Sequence, residues 1–430
     1  MELLLLILYG IINLTMMLSY FFGKGDFYKF PFWASLISLG WFYPQVIGGY
    51  FNTAQFPPYA YENGMLFASL CTLGLWGGWL LAYRKSLNSN FWLAMPLNQN
   101  RLYYVGAFLC LAGFYFQWKL WNLPEEMLAN SQWTGATVKY HFLAGIFKYG
   151  FLILWLLYLG RRKWMSPAFL VFLIPCLLLF LEAAILRGRR FEMMTLTAYI
   201  LVAFWFVRGM VFPRWLFISG LVAGLILVNG IGIYRAIMLD KDHNLSERIE
   251  LAVNANYTSV NNSLIEDSGV EFKNYIYQRE AYAEDLSFDY GVYHWNRIVF
   301  NYVPAQIVGA DVKAAFIFPI EDMRQVVQSK YGFSHATGST STGYADAFGS
   351  FGWLGWGKFV FIGLIMGSLY RYASHGYFTS QLLYLYSLPT AMVAITHGTN
   401  DILISIWIYF FLLIFPILFF HKIKWKIERF

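Results

Sequence analysis

The sequence predicts an all-α polytopic membrane protein of about eleven transmembrane helices with one large periplasmic loop, and three observations carry that prediction. The 430 residues are 58% hydrophobic and 21% aromatic but only 13% charged, more apolar surface than a soluble domain can hide. Apolar runs of the roughly 20 residues a spanning helix needs recur along the chain. Lys and Arg collect in the short loops between those runs, so the net charge of +7 reads as a topology signal, with no basic stripe for a nucleic acid.

In order, the first run lies near 2–21. Met1-Glu2-Leu3-Leu4 lacks the basic start of a cleavable signal peptide, and Lys24 and Lys29 follow the apolar stretch, which predicts a retained helix starting outside. Further spans are expected near 30–50, 64–83, 102–117, 142–159, 165–186, 192–207, 215–234, 350–370, 379–396 and 402–420. The chain thus divides into eight helices over 1–234, a large loop over 235–349, and three helices with a tail over 350–430.

With the N-terminus outside, the cations at Lys24 and Lys29, Arg84, Lys85 and Arg101, Arg161, Arg162 and Lys163, Arg208 and Arg214, Arg371, and Lys422, Lys424, Lys426 and Arg429 all fall on one side. By the positive-inside rule that side is the cytoplasm, which leaves the C-terminus cytoplasmic and the N-terminus periplasmic. The opposite loops are 51–63, 118–141, 187–191, 235–349 and 397–401. One of them breaks the rule: Arg187, Arg189 and Arg190 crowd a very short outer turn within Leu186–Glu192.

The large loop holds a helical-looking segment from Ser246 to Val253 whose Ser-x-x-Ile start is not a true capping box. It also holds an aromatic, polar stretch from Tyr290 to Arg297 and a Gly/Ser/Thr-rich run from Ala336 to Tyr344. Loops of this length are commonly functional. Residues 118–141 are expected to add a short interfacial helix over the same face. The three cysteines, Cys71, Cys110 and Cys176, lie inside apolar runs, and the seven histidines are dispersed. No disulfide framework, metal site or cofactor motif is therefore expected.

Arg187 and Arg190, three apart, share a helix face, and Arg235 ends the eighth predicted span at the same surface. Guanidinium forks grip phosphate oxygens bidentately, so these residues form a candidate diphosphate clamp; binding of anionic lipid or salt bridges to Glu182 and Glu192 is the simpler alternative. Charges inside spans cost about 2.5–3.5 kcal/mol each at the bilayer centre, which singles out Lys148, Glu182 and Lys358. Glu182 and Arg189, seven apart, are expected on one face, so Glu182 either orients an arginine or takes a proton; Lys148 is placed to snorkel outward. For acid–base work His335, Asp346, His397 and Asp401 converge on the outer side. His397 and Asp401 would be neighbours if a helix ran through them; otherwise Asn400 and Asp401 cap a polar turn. With no nucleotide-binding glycine loop, the energy for an outer-face reaction must come from an activated substrate such as a lipid diphosphate.

The run from Thr342 to Gly355, and above all its aromatic-Gly-x-x-Gly piece Phe351-Gly352-Trp353-Leu354-Gly355, resembles the Wzy-type O-antigen and oligosaccharide repeat-unit polymerases of bacterial inner membranes. The layout of many spans, a large outer loop before the last three and arginines at outer helix ends is similar throughout the chain. The resemblance implies a multispan glycosyltransferase that joins undecaprenyl-diphosphate-linked oligosaccharides at the periplasmic face, without metal or cofactor, with a chain-length regulator as a further partner. It implies that Arg187, Arg189, Arg190 and Arg235 stabilise the departing diphosphate and that His335 or Asp346 is the general base. His294, Arg297, Tyr302 and Tyr344 would meet the sugar, with Glu182, Lys358, His397 and Asp401 in support. An O-antigen ligase would use the same arginines on a different acceptor; a flippase of lipid-linked glycans would need more polar span interiors and matching halves.

Overall fold

The computed structural model describes residues 1–88, 91–124, 127, 136–161, 166–215, 234, 237–238, 244–255, 269–303, 305–335 and 339–422. Among the described residues the regular structure is helical, apart from one isolated bridge between Leu97 and Lys422. The helices are α1 (Glu2–Phe21), α2 (Phe30–Ile37), α3 (Tyr43–Phe51), α4 (Ala60–Tyr83), α5 (Gln99–Trp121), α6 (Ala136–Ala144), α7 (Phe147–Gly160), α8 (Pro167–Leu181), α9 (Arg190–Arg208), α10 (Leu245–Asn254), α11 (Val270–Glu284), α12 (Val292–Tyr302), α13 (Ala305–Val308), α14 (Ala310–Ala315), α15 (Met323–Tyr331), α16 (Gly343–Phe351), α17 (Gly357–Ala373), α18 (Phe378–His397), α19 (Ile406–Tyr409) and α20 (Phe415–Phe420). Wide π turns at Ser38–Phe42, Glu182–Leu186, Asp401–Ser405 and Phe410–Ile414 join or extend several of them.

Six of the described helical passages are long and apolar enough to cross a membrane: Glu2–Phe21, Ala60–Tyr83, Lys139–Gly160, Pro167–Leu186, Phe191–Arg208 and Gly343–Ala373. The chain is an all-α protein with the helices of a membrane protein. The predicted span near 215–234 lies almost wholly outside the described residues.

Small residues set the centre of the bundle. Gly78 on α4 lies against Gly363 on α17, with Gly74 beside Val360 and Gly367 beside Trp79, each four residues along its own helix. A Cβ on Gly78 would stand 2.2 Å from the Val360 carbonyl oxygen, and one on Gly363 would stand 2.1 Å from that of Leu75. Two small-x-x-x-small stripes thus let the backbones touch, the mode of association available where lipid removes the hydrophobic drive between helices. Gly150 does the same for α7 against α5, where a Cβ would meet the Cys110 nitrogen at 2.7 Å.

The cation-rich loops gather at one end. Arg371 donates to the Ala82 carbonyl at 2.9 Å, Lys29 pairs with Asp26 at 2.7 Å and lies 4.7 Å over the Tyr83 ring, Arg208 reaches the Arg161 carbonyl and Arg214 that of Phe22. Tyr103, just beyond Arg101, donates to the Ala168 carbonyl at the start of α8. The passage Pro167–Leu186 then runs for 20 residues, about 30 Å at the helical rise, and delivers Arg187 to the opposite end.

Two local expectations change. The segment near Ser246 does carry a capping box, two residues earlier than its serine suggests: the Asn244 side chain accepts from the Glu247 N–H while Glu247 accepts from the Asn244 N–H. The helix placed at 350–370 begins instead at Gly343, because Thr342 caps it through the Ala345 N–H at 3.2 Å, which moves Asp346 from the loop into a spanning passage.

Candidate functional site

The aromatic-Gly-x-x-Gly stretch is a helix break. Gly352 adopts a φ of +56°, open to glycine at no steric cost, and a Cβ on Gly355 would stand 1.9 Å from the Ala347 carbonyl oxygen. The chain passes through a 3₁₀ turn, Gly352–Trp356, and α17 starts with Lys358 directed back at α16. Lys358 Nζ donates to Asp346 Oδ1 at 3.0 Å, Ser350 Oγ at 2.7 Å and His294 Nε2 at 2.7 Å. The cost of a charge inside the bundle is offset here by a full set of acceptors.

Two further elements close the cluster. α16 sits on α18 because Gly343 has no Cβ to strike the Ala394 carbonyl oxygen, which would be 1.8 Å away. α18 stops at His397 through Gly398, with φ +89°, and the turned chain presents Thr399, whose N–H reaches Asp346 Oδ2 at 2.7 Å and whose hydroxyl donates to the same oxygen. α12 contributes His294. Its start is docked on α16 by the Asp289 and Tyr290 N–H groups, each 3.0 Å from the Gly349 and Ser350 carbonyls. Tyr290 takes a φ of +48° there, uncommon for a non-glycine residue. His294 Nδ1 lies 3.0 Å from Asn400 Oδ1. Because Nε2 accepts from Lys358, the network assigns the proton to Nδ1, which donates to Asn400. Lys358, His294, Asn400, Ser350 and Thr399 are all buried, and the Asp346 side chain is 6% exposed.

The arginine turn lies at the same end of the bundle. Arg187 donates through Nε and Nη2 to Glu182 Oε1, each at 2.8 Å. Glu182 therefore pairs with Arg187 and not with Arg189 as the seven-residue spacing predicted: the π turn bonds the Arg187 N–H to the Glu182 carbonyl, an i+5 closure that rotates the helix end. Lys148, expected to snorkel outward, pairs with Glu192 at 2.7 Å. Arg189 is exposed at the N-cap of α9. His141 lies within electrostatic reach of Arg187, Arg189, Lys148 and Glu192. Tyr234 donates to the Ile185 carbonyl at 2.8 Å, which brings the chain just before residue 235 to this turn; Arg235 and the Arg190 side chain lie outside the described residues. A mostly apolar groove of about 340 Å³ is lined by Phe114, Gln117, Trp121, Pro175, Leu178 and Leu179, with Glu182 also at its wall.

A tyrosine stack spans the ground between the two clusters. Tyr149 stacks on Tyr386 at 3.9 Å and on Tyr409 at 5.1 Å, and Tyr386 lies within electrostatic reach of both Glu192 and Asp401. Among the described residues no group of three or more His, Cys, Asp or Glu side chains is placed to hold a metal ion. No family model matches the chain, and neither does any curated protein or solved structure.

Several predicted roles change in this geometry. Tyr344 is 1% exposed and packed among Phe42, Tyr275 and Phe359, its hydroxyl 3.0 Å from that of Tyr9; it is a core residue with no face for a sugar. His294 is a buried partner of Lys358 and offers no open face either. His335 sits against α11, where its Nε2 is 2.7 Å from the Gln278 side-chain nitrogen, and its ring packs on Phe333. Burial, then the charge of Arg324, lowers the His335 pKa. His397 and Asp401 are both exposed, but the break at Gly398 removes the continuous helix that would have made them i,i+4 neighbours. Asn400 makes no cap bond and serves His294 instead. Tyr302 donates to the Ser405 carbonyl at 3.1 Å, and exposed Arg297 lies 6.0 Å over the Tyr293 ring. Ser350 lies inside the Thr342–Gly355 run and Thr399 and Asn400 inside the polar turn after His397, but none is charged and no spacing in the sequence links them to Lys358 or His294.

Proposed function

We propose that this chain is a glycosyltransferase of the bacterial inner membrane that polymerises undecaprenyl-diphosphate-linked oligosaccharide units at the periplasmic face, with about eleven spans and residues 235–342 as its outer loop. The observation that carries the reading is a buried Lys358–Asp346–His294 cluster at the bundle end opposite the cation-rich loops, the end that also bears Arg187 and Arg189. Arg187 and Arg189 at these helix ends suit an anionic substrate. The mostly apolar groove with Glu182 at its wall suits an isoprenoid chain whose diphosphate would meet Arg187 once Glu182 yields it.

In this reading the donor sugar's bond to the diphosphate breaks as an acceptor hydroxyl attacks, and the arginines stabilise the departing diphosphate. Asp346 has both oxygens engaged by Lys358 and Thr399, so it anchors the cluster in preference to acting as the base. His294, closed to substrate while Lys358 covers its Nε2, is the group suited to take the hydroxyl proton once that ammonium is drawn aside. It is held as one tautomer by Asn400, and Lys358 keeps Asp346 and Ser350 as acceptors when a hydroxyl replaces it at Nε2.

Single substitutions Arg187→Ala and His294→Gln in the native host test the reading. The expected result is loss of the polymer ladder, with single repeat units still transferred to their final acceptor and the protein still inserted. Normal ladders in both variants would sink it, and carrier-linked polymer accumulating in a deletion strain would make the protein a ligase.

A further inference from the structure

The stretch from Val292 to Ile320 has an outward apolar face that neither the cluster nor the arginine turn uses. Trp295, Phe300, Phe316, Ile317, Phe318 and Ile320 are each 40% to 61% exposed. They form one surface, because the polar groups between them bond to each other across a hairpin. Trp295 Nε1 donates to the Phe316 carbonyl at 2.8 Å, Asn296 exchanges two bonds with the Phe318 backbone at 2.8 and 3.0 Å, and Lys313 donates to the Phe300 carbonyl at 2.8 Å. The hairpin therefore satisfies these backbone groups with its own side chains while leaving hydrocarbon exposed, the arrangement a lipid environment requires. A water-facing loop gains nothing from it, and a patch this apolar marks an interaction site.

The tether identifies the occupant. Tyr302 at the end of α12 bonds to Ser405, one turn into the helical passage that starts at Asp401. Its ring meets Phe142, 6.0 Å away, on the candidate span Lys139–Gly160. Phe142 is itself 41% exposed, so the hairpin continues the outer surface of a spanning helix at the level where the helices end. We infer that the 292–320 hairpin is an interfacial element whose Trp295, Phe300 and Phe316–Phe318 side chains sit in the acyl region of the outer leaflet, about 5–10 Å below the headgroup boundary. Lys313 stays at the surface, its ammonium 5.2 Å over the Phe300 ring. This inference rests on the membrane reading alone and not on the transfer chemistry.

The test uses the full chain in phosphatidylcholine–phosphatidylglycerol vesicles, with no other protein present. Cys71, Cys110 and Cys176 are buried, so a thiol-reactive fluorophore reports on an introduced site: Ile317→Cys, Phe318→Cys, and, as controls, Glu321→Cys and Arg324→Cys. The expected result is that lipids carrying a nitroxide near the top of the acyl chain quench the first two labels several-fold more than the controls, while iodide in the water does the reverse. Labels at 317 and 318 open to iodide and untouched by lipid nitroxide would overturn the inference and leave the face for a protein partner. A variant that fails to fold is recognised by labelling at the buried cysteines, and the neighbouring position then decides.

Discussion

Removing Lys358 probes the site most directly. Lys358→Met keeps most of the side-chain volume but takes one charge and its donors from a buried cluster. Asp346 then keeps only the two Thr399 donors, both on Oδ2, while Oδ1 loses its close partner and has His294 Nε2 at 3.6 Å. Breaking a buried pair by removing one member costs about 3–5 kcal/mol, because an uncompensated charge is left behind. Asp346→Asn should cost a similar amount by stranding the ammonium. The double variant removes both charges, so it should cost well under the sum, with a coupling near the upper end of the ~0.5–3 kcal/mol seen for residues in contact. Unfolding of the full chain in mixed detergent micelles, followed by tryptophan fluorescence and circular dichroism, measures all three. Single costs that add to within about 0.5 kcal/mol would refute the argument that these two groups are held as a pair.

Other expectations follow from the same geometry. Gly355→Ala forces a Cβ onto a backbone oxygen that cannot swing away, since it would lie 1.9 Å from the Ala347 carbonyl; overpacking of this kind costs about 1–3 kcal/mol or more and should appear as a lower unfolding midpoint together with lost activity. Tyr344→Phe loses only the hydroxyl contact to Tyr9, about 1–2 kcal/mol, and should leave polymer length unchanged, whereas a sugar-binding tyrosine would shorten it. Thr399→Val keeps its N–H bond to Asp346 but loses the hydroxyl donor, a cost of about 1–3 kcal/mol, readable by the same unfolding assay. His335 has a folded pKa below its unfolded value because burial disfavours the imidazolium. The unfolded chain then binds more protons, so stability is fully present above about pH 6.5 and falls as the pH drops through the lowered value. His335→Gln should flatten that part of the stability profile, and an unchanged profile would remove His335 from it.

The grouping of several cation-bearing loops was legible because it depends only on where Lys and Arg fall between apolar runs. Lys29, Arg161, Arg208 and Arg371 do meet at one end of the bundle, and a charge inside an apolar run, such as Lys358, does mark the cluster. What was not legible is how charges find partners. Glu182 was matched to Arg189 on an ideal helix, and a single π turn moved the partnership to Arg187. His397 and Asp401 were matched by the same ideal spacing, and one glycine with positive φ parted them. Tyr344 lies in the motif that carried the family resemblance, yet its burial depends on Tyr9 and Phe42, more than three hundred residues earlier. Asn400 resembled a cap because its neighbours are polar; its actual partner, His294, comes from a loop with no pattern linking the two. Local periodicity identifies faces, and the exceptions to it fall where the site is built.

The broken passage from Gly343 to Ala373 has a mechanical consequence. α17 is seated on α4 through closely approaching glycines, and α16 rests on α18 through Gly343. At the break the Gly352 N–H still bonds to the Phe348 carbonyl and a 3₁₀ turn carries the chain into α17, so the Lys358–Asp346 bond is a side-chain tie added across that joint. A group that drew Lys358 away would therefore remove one side-chain tie across that joint and leave its backbone bonds in place.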